Sequence, residues 1–265
     1  MSAPAPATGG GRLWEVDALR TAAIVMMVAY HVAYDVDLLG PGVDIDPFSG
    51  GWRALQVACG STFLFVVGVS ITISNGRARA RGLTGTALYR RHLRRVGQVA
   101  AAALLVSVVT RVALGDDWVR FGILHCIAVA MLIGPLLVRL RWANAVLAAG
   151  ALALGLVLRD ATPSDVPGLL VLGVPAPGGA GVDWYPLFPW LAPVLLGLAV
   201  GAALYPEGRR GPWGRRLPEP RWAVPAGLPG RHALPIYLVH QPVLIPLVAA
   251  ALALAGVDVS WAEFT

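Results

Sequence analysis

The chain is divided into blocks of about 17 to 22 mostly apolar residues, and this spacing constrains its fold more than any other feature. At about 1.5 Å of rise per residue, such a block crosses roughly 30 Å of hydrocarbon as a helix. A helix satisfies its own backbone hydrogen bonds, which lipid cannot do, so the pattern predicts an all-α, polytopic transmembrane bundle. Seven spans are expected, at 18 to 38, 54 to 74, 96 to 114, 121 to 138, 142 to 158, 184 to 205 and 234 to 255. Composition agrees: 57% of the residues are apolar and 14% are charged, where a soluble domain carries about 25% charge.

Arginine placement predicts the orientation. The connections 75 to 95 and 206 to 233 hold seven and six arginines, and the turn at 139 to 141 adds Arg139 and Arg141. The intervening connections hold one arginine each, Arg53, Arg120 and Arg159, among several aspartates. By the positive-inside rule the three arginine-rich connections share the cytoplasmic side. Seven spans then put the amino terminus inside, the carboxyl terminus outside, and the protein in the cell membrane.

The fifth span is the weakest, about 17 residues rich in alanine and glycine, with Asn144 as its one strongly polar group. The first is not read as a signal peptide, because it carries His31 and Asp35 within its apolar core. Residues 1 to 12 read as a disordered lead, 13 to 258 as one transmembrane domain, and the Pro/Gly/Arg-rich 206 to 230 as a flexible loop. All 21 basic residues are arginine, which is given little functional weight. Cys59 and Cys126 read as small buried residues, not a disulfide framework.

Ionisable groups inside spans are expensive, so each asks for a partner or a purpose. His31 and Asp35 are four apart and share a helix face, about 20 Å from the start of the first span. His125, near the start of the inward-running fourth span, and Asp183, at the mouth of the sixth, fall at a similar depth. His31, Asp35, His125 and Asp183 are therefore the candidate catalytic set, with Asp35 expected to accept a hydrogen bond from the His31 ring. His240 is expected elsewhere, in the inner half, about 9 Å from the cytoplasmic start of the seventh span. Asp17 and Arg20 lie three apart at the cytoplasmic mouth of the first.

Each has a plainer explanation. A membrane histidine also serves as a hydrogen-bonding group between helices, and Asp17 with Arg20 also makes an ordinary boundary ion pair. The cluster from Arg77 to Arg95 is first a topology signal and second a site for an anionic ligand. Gly197 and Gly201 form a small-xxx-small pair, a mark of close helix packing.

The strings EVDALRTAAIVMMVAYHVAYD, STFLFVVGVSI, FGILHCIAVAMLIG, DWYPLFPWLAPVLLGLAVG and GRHALPIYLVHQPVLI occur in order over most of residues 12 to 250. In order and spacing they resemble the microbial branch of the heparan-α-glucosaminide N-acetyltransferase catalytic-domain family. The resemblance implies transfer of an acetyl group from cytoplasmic acetyl-CoA to a sugar-like or polyol acceptor across the membrane. Asp17 and Arg20 match the family's aspartate and arginine at the start of the first catalytic helix, with Thr21 where a glycine usually follows. His31 matches a polar position near the acetyl group, with His125 as second candidate. Residues 38 to 53 lack the histidine that the lysosomal relatives carry just beyond this helix.

With that activity, a CoA thioester would need cations for its phosphates and a shaft for its pantetheine arm. Asp17, Arg20, Arg94, Arg95, Arg231 and His240 are the candidate cofactor-binding residues, with Arg90 and Arg91 as further cations. An imidazole beside a carboxylate suits proton removal from the attacking amine or hydroxyl. Direct transfer and a ping-pong route through an acetylated histidine both stay open. No metal and no nucleic acid is expected; the lipid bilayer and a small-molecule or glycan acceptor are the expected partners, and a homo-oligomer is left open. The rival class is a proton-coupled transporter or channel for a small polar solute, and a scaffold without chemistry is a third.

Overall fold

The computed structural model describes residues 12–212, 214 and 220–261. The expected lead at 1 to 12 lies almost wholly outside the described residues. Ten α-helices follow in chain order: α1 (Trp14–Leu39), α2 (Gly50–Ala80), α3 (Gly85–Leu114), α4 (Ile123–Leu137), α5 (Ala143–Leu158), α6 (Pro167–Leu172), α7 (Leu187–Leu204), α8 (Ala223–Ala226), α9 (Leu228–Arg231) and α10 (Ala233–Leu254). No strand occurs among the described residues. Six helices, α1 to α4, α7 and α10, have the length and apolarity to cross a bilayer. α5 is an apolar helix of 16 residues, about 24 Å by helix rise, and falls short of that length.

The arginine-rich connections meet at one end of the bundle. There Arg210 donates to Glu15 of α1 at 2.9 and 2.6 Å, and Arg77 near the end of α2 donates to the Gly208 carbonyl at 2.9 Å. At the opposite end the Val182 N–H bonds the Asp117 carbonyl, Tyr185 bonds Phe121, and Ser260 bonds Leu39. Much of the 75 to 95 connection is helix. Its alanines and arginines are good helix formers, so α2 runs on to Ala80 and α3 restarts at Gly85 after a tight turn at Gly82, whose φ is +80°.

Close helix contact is built on glycine. A Cβ on Gly68 of α2 would stand 2.1 Å from the Val194 carbonyl oxygen of α7, and one on Gly197 would stand 2.1 Å from that of Phe65. Gly201 packs the same way on Thr72, so the small-residue pair is a packing device. Gly155 seats α5 against Pro189 at the start of α7. Asn144 is fully buried and donates to the Leu137 and Arg141 carbonyls, closing the α4 to α5 turn.

The segment 220 to 233 is docked, where a free loop was expected. α8 and α9 lie against α1, the Gly230 N–H bonds the Thr21 hydroxyl at 2.9 Å, and a Cβ on Gly230 would stand 2.1 Å from the Asp17 carbonyl oxygen. This tuck starts α10 about 15 Å deeper in the bundle than α1, by helix rise.

Candidate functional site

Three cavities lie in succession through the bundle, each sharing lining residues with the next. The first, about 610 Å³, opens at the arginine-rich end and is lined by Arg12, Arg20, Arg77, Arg81, Arg91, Arg95 and Arg231. Asp17 organises it. Its carboxylate, 5% exposed, takes Arg12 at 2.7 Å and Arg20 at 2.8 Å, with Arg231 at 3.6 Å. Arg20 also donates to the Ser70 hydroxyl at 2.6 Å, which ties the guanidinium to α2. One buried acid thus orients three arginines around a mouth with a large excess of positive charge. Oriented guanidinium groups in low dielectric are suited to phosphate oxygens.

A narrower apolar shaft of about 220 Å³ continues inward between Val66, Val67, Val99, Ile127 and Leu234. Arg20, Ser70, Ser74 and Arg95 line both mouth and shaft, so the two adjoin. Phe63, Ile123 and Tyr237 line both the shaft and the third cavity.

This inner chamber, about 520 Å³, holds His31, His240, Asp183, Tyr237 and Gln241. The His31 and His240 rings stand edge to face, with centroids 4.6 Å apart. Each ring places Nδ1 on a carbonyl one turn back in its own helix: His31 on Met27 at 2.9 Å and His240 on Tyr237 at 2.5 Å. A carbonyl only accepts, so each Nδ1 carries the proton and each Nε2 keeps a lone pair. The Nε2 of His240 is buried with no hydrogen-bond partner. Asp183 accepts the Ile123 N–H at 3.1 Å, at the positive amino end of α4, and the Tyr237 hydroxyl. Gly122 lets it approach, since a Cβ there would stand 2.1 Å from the carboxylate. Burial pushes the Asp183 carboxyl up to about 6, outweighing the two hydrogen bonds that favour its charged form.

Several expected placements change. His240 sits beside His31, not apart from it in the inner half. The docked α9 sinks the start of α10, so Thr21 faces Gly230 and His31 faces His240 at the same 209-residue offset. Asp35 does not orient the His31 ring; its carboxylate is fully buried and accepts the Gln241 amide at 3.0 Å, while the Met27 carbonyl fixes the ring. His125 lies outside the chamber and caps α4, accepting the Gly122 N–H at 3.2 Å with Ser107 at 3.4 Å on its other nitrogen. Arg94 is absent from the mouth lining, because Arg91 and Arg95 are four apart on the face turned to α1 and Arg94 is a quarter-turn away. Asp17 holds the arginines of the mouth and presents no cation of its own.

Sequence reasoning did not single out Tyr237, Ser70, Gln241 and Arg12, which line these cavities, and it read Arg77 and Arg81 first as a topology signal. Tyr237 carries the one readable signal, a tyrosine one helical turn before His240 on the same face. Cys59 and Cys126 are free and buried. Among the described residues no group of three His, Cys, Asp or Glu side chains is placed to hold a metal ion.

A family profile described as Heparan-alpha-glucosaminide N-acetyltransferase, catalytic, matches residues 12–242. Comparison with curated proteins and with solved structures finds no match.

Proposed function

The chain belongs to the heparan-α-glucosaminide N-acetyltransferase catalytic family, a family of membrane acetyltransferases, and from that premise we propose that it moves the acetyl group of cytoplasmic acetyl-CoA to an amine or hydroxyl of a sugar-like or polyol acceptor on the extracytoplasmic side. The observation that carries this reading is the succession of arginine mouth, apolar shaft and histidine chamber, each sharing lining residues with the next. Arg20 at the mouth and His31 in the chamber are eleven residues apart on one helix, about 16 Å by helix rise, which suits an extended pantetheine arm. The positive-inside rule supports a cytoplasmic arginine-rich end, the membrane in this reading is the cell membrane, and seven passes require the short α5 to cross as well.

In this reading Arg20, Arg91, Arg95 and Arg231 neutralise the CoA phosphates, and the shaft excludes water from the arm. The thioester supplies an activated acetyl carbonyl at the chamber end. There the Nε2 of His31 takes the proton from the acceptor amine or hydroxyl as its nitrogen or oxygen bonds the carbonyl carbon. The carbon–sulfur bond breaks, and the proton held on the ring passes to the departing CoA sulfur, leaving His31 neutral. His240, unpartnered at Nε2, is the adjoining base through which that proton can pass. Asp183 and Tyr237 hold the acceptor by its hydroxyl or ammonium groups. Asp35 fixes Gln241 at the chamber wall. Neither the family nor the geometry supports the transporter alternative.

The test is CoA release by purified protein in lipid nanodiscs, given acetyl-CoA and a panel of amino sugars and polyols. Salt-sensitive CoA affinity and acceptor-dependent release are expected. Absence of CoA affinity at low salt would sink the reading.

A further inference from the structure

We propose, on the basis of the acetyl-transfer reading above, that the acceptor is lipid-borne and that its hydrocarbon tail enters the chamber sideways through a slot between α3 and α10. The polar groups of the chamber gather around His31, His240 and Asp183. Leu38, Leu105, Val109, Ala113, Leu238 and Ile245 add an apolar stripe to a lining that also holds Tyr34, Gln56 and Thr110. A free sugar would leave that stripe without an apolar partner, and a hydrocarbon chain covers it.

The slot is open to the bilayer. Leu105 and Val109 line the chamber and are also 53% and 54% exposed. α3 buries only Ala102, Ala103 and Ser107, and Ala102 and Ala103 pack in one cluster with Leu124 of α4 and with Leu234, Tyr237 and Leu238 of α10. The Leu105, Val109 and Ala113 row, one residue every turn, lines the chamber together with Leu238 and Ile245 of α10. Depth fits as well. Val109 lies five residues from the end of α3, about 8 Å by helix rise, so the slot opens into the leaflet away from the arginine mouth. A headgroup carried in that leaflet reaches His31 with its tail still in hydrocarbon.

The experiment supplies acetyl-labelled acetyl-CoA to membranes containing the full chain and asks where the label goes. Label recovered in the solvent-extractable lipid fraction is expected, and it is lost in the double variant Leu105→Trp/Val109→Trp, whose indoles fill the slot, while CoA affinity of that variant is unchanged. Label in a water-soluble product, or transfer indifferent to the two tryptophans, overturns the slot. Where CoA binds but no transfer is seen, a phospholipid with a diazirine midway along one chain decides. Photolabelling of Tyr34 and Leu38 inside the chamber, lost in the double variant while Val112 on the outer face stays labelled, supports the slot; labelling confined to Val112 overturns it. Failure of CoA to bind at all defeats the acetyltransferase reading itself, and is recognised by titration of the same preparation.

Discussion

The imidazoles of His31 and His240 meet edge to face, with ring centroids 4.6 Å apart and planes at 79°, each ring anchored to its own helix by Nδ1. With Nδ1 on a carbonyl, each ring keeps its Nε2 lone pair. In the proposed transfer one ring takes the proton and the other stands in ring contact to pass it on.

His31→Ala is expected to lower acetyl transfer by roughly 10² to 10⁴, the range of a positioned general base, with CoA affinity retained. His240→Ala is expected to cost less, and the double variant no more than His31→Ala alone, because the two rings act as one unit. Turnover and melting temperature measured on the same preparation check this. A stable His31→Ala with wild-type turnover would sink the assignment.

Replacing Arg95 or Arg231 by glutamine is expected to weaken CoA binding by about ten- to a hundredfold each, the worth of a charged hydrogen bond. Arg94→Gln should leave binding unchanged, since that side chain is outside the mouth. Asp17→Asn should weaken binding too, although it removes a negative charge, because Arg12, Arg20 and Arg231 lose the acid that orients them. Titration calorimetry at low and high salt separates the orienting effect from simple charge.

Asp183 gives a pH signature. Its carboxyl is held at about 6 in the folded protein against an ordinary 3.8, so the folded state binds this proton more tightly than the unfolded chain. Its contribution is fully present below about pH 4, is lost as pH rises to about 6, and is constant above that. Asp183→Asn keeps an oxygen for the Ile123 N–H and has no titrating proton. The difference in melting temperature between the two proteins should therefore grow in favour of the variant between pH 4 and 6 and then level off; a constant difference across that window would refute it.

Gly68→Ala and Gly197→Ala are each expected to lower stability by about 1 to 3 kcal/mol, since the added methyl meets a backbone oxygen of the facing helix and cannot be met by a rotamer change. Gly150→Ala, where nothing stands within 4 Å, should be neutral or slightly stabilising. Thermal unfolding in detergent distinguishes the three.

A reporter fused after Thr265 should be active outside the cytoplasm, and one placed near Gly82 should report cytoplasm. The opposite result at either point would overturn the seven-pass orientation, and would leave the helix packing untouched.

The sequence by itself determined the helical class, the approximate place of every long apolar helix, and the gathering of arginine connections. These follow from local quantities: how many apolar residues run together, and where charge interrupts them. It also marked His31 and Asp183 as groups that belong together, because depth along an antiparallel helix follows from counting residues. Counting fails wherever a helix does not start flush with its neighbours. His240 was misplaced for that reason, since only the tertiary contact of Gly230 with Thr21 and Asp17 sinks the start of α10. Periodicity put Asp35 on the face of His31, but which partner each takes is settled by the helix packed against them, and Gln241 claims the carboxylate. Likewise His125 has the chemistry of a base and the position of a cap, and only the arrangement of Gly122 and Ser107 around it decides between them. The succession of cavities from mouth to chamber belongs to the tertiary structure alone, because a cavity is the space that several helices leave between them and no single helix encodes it.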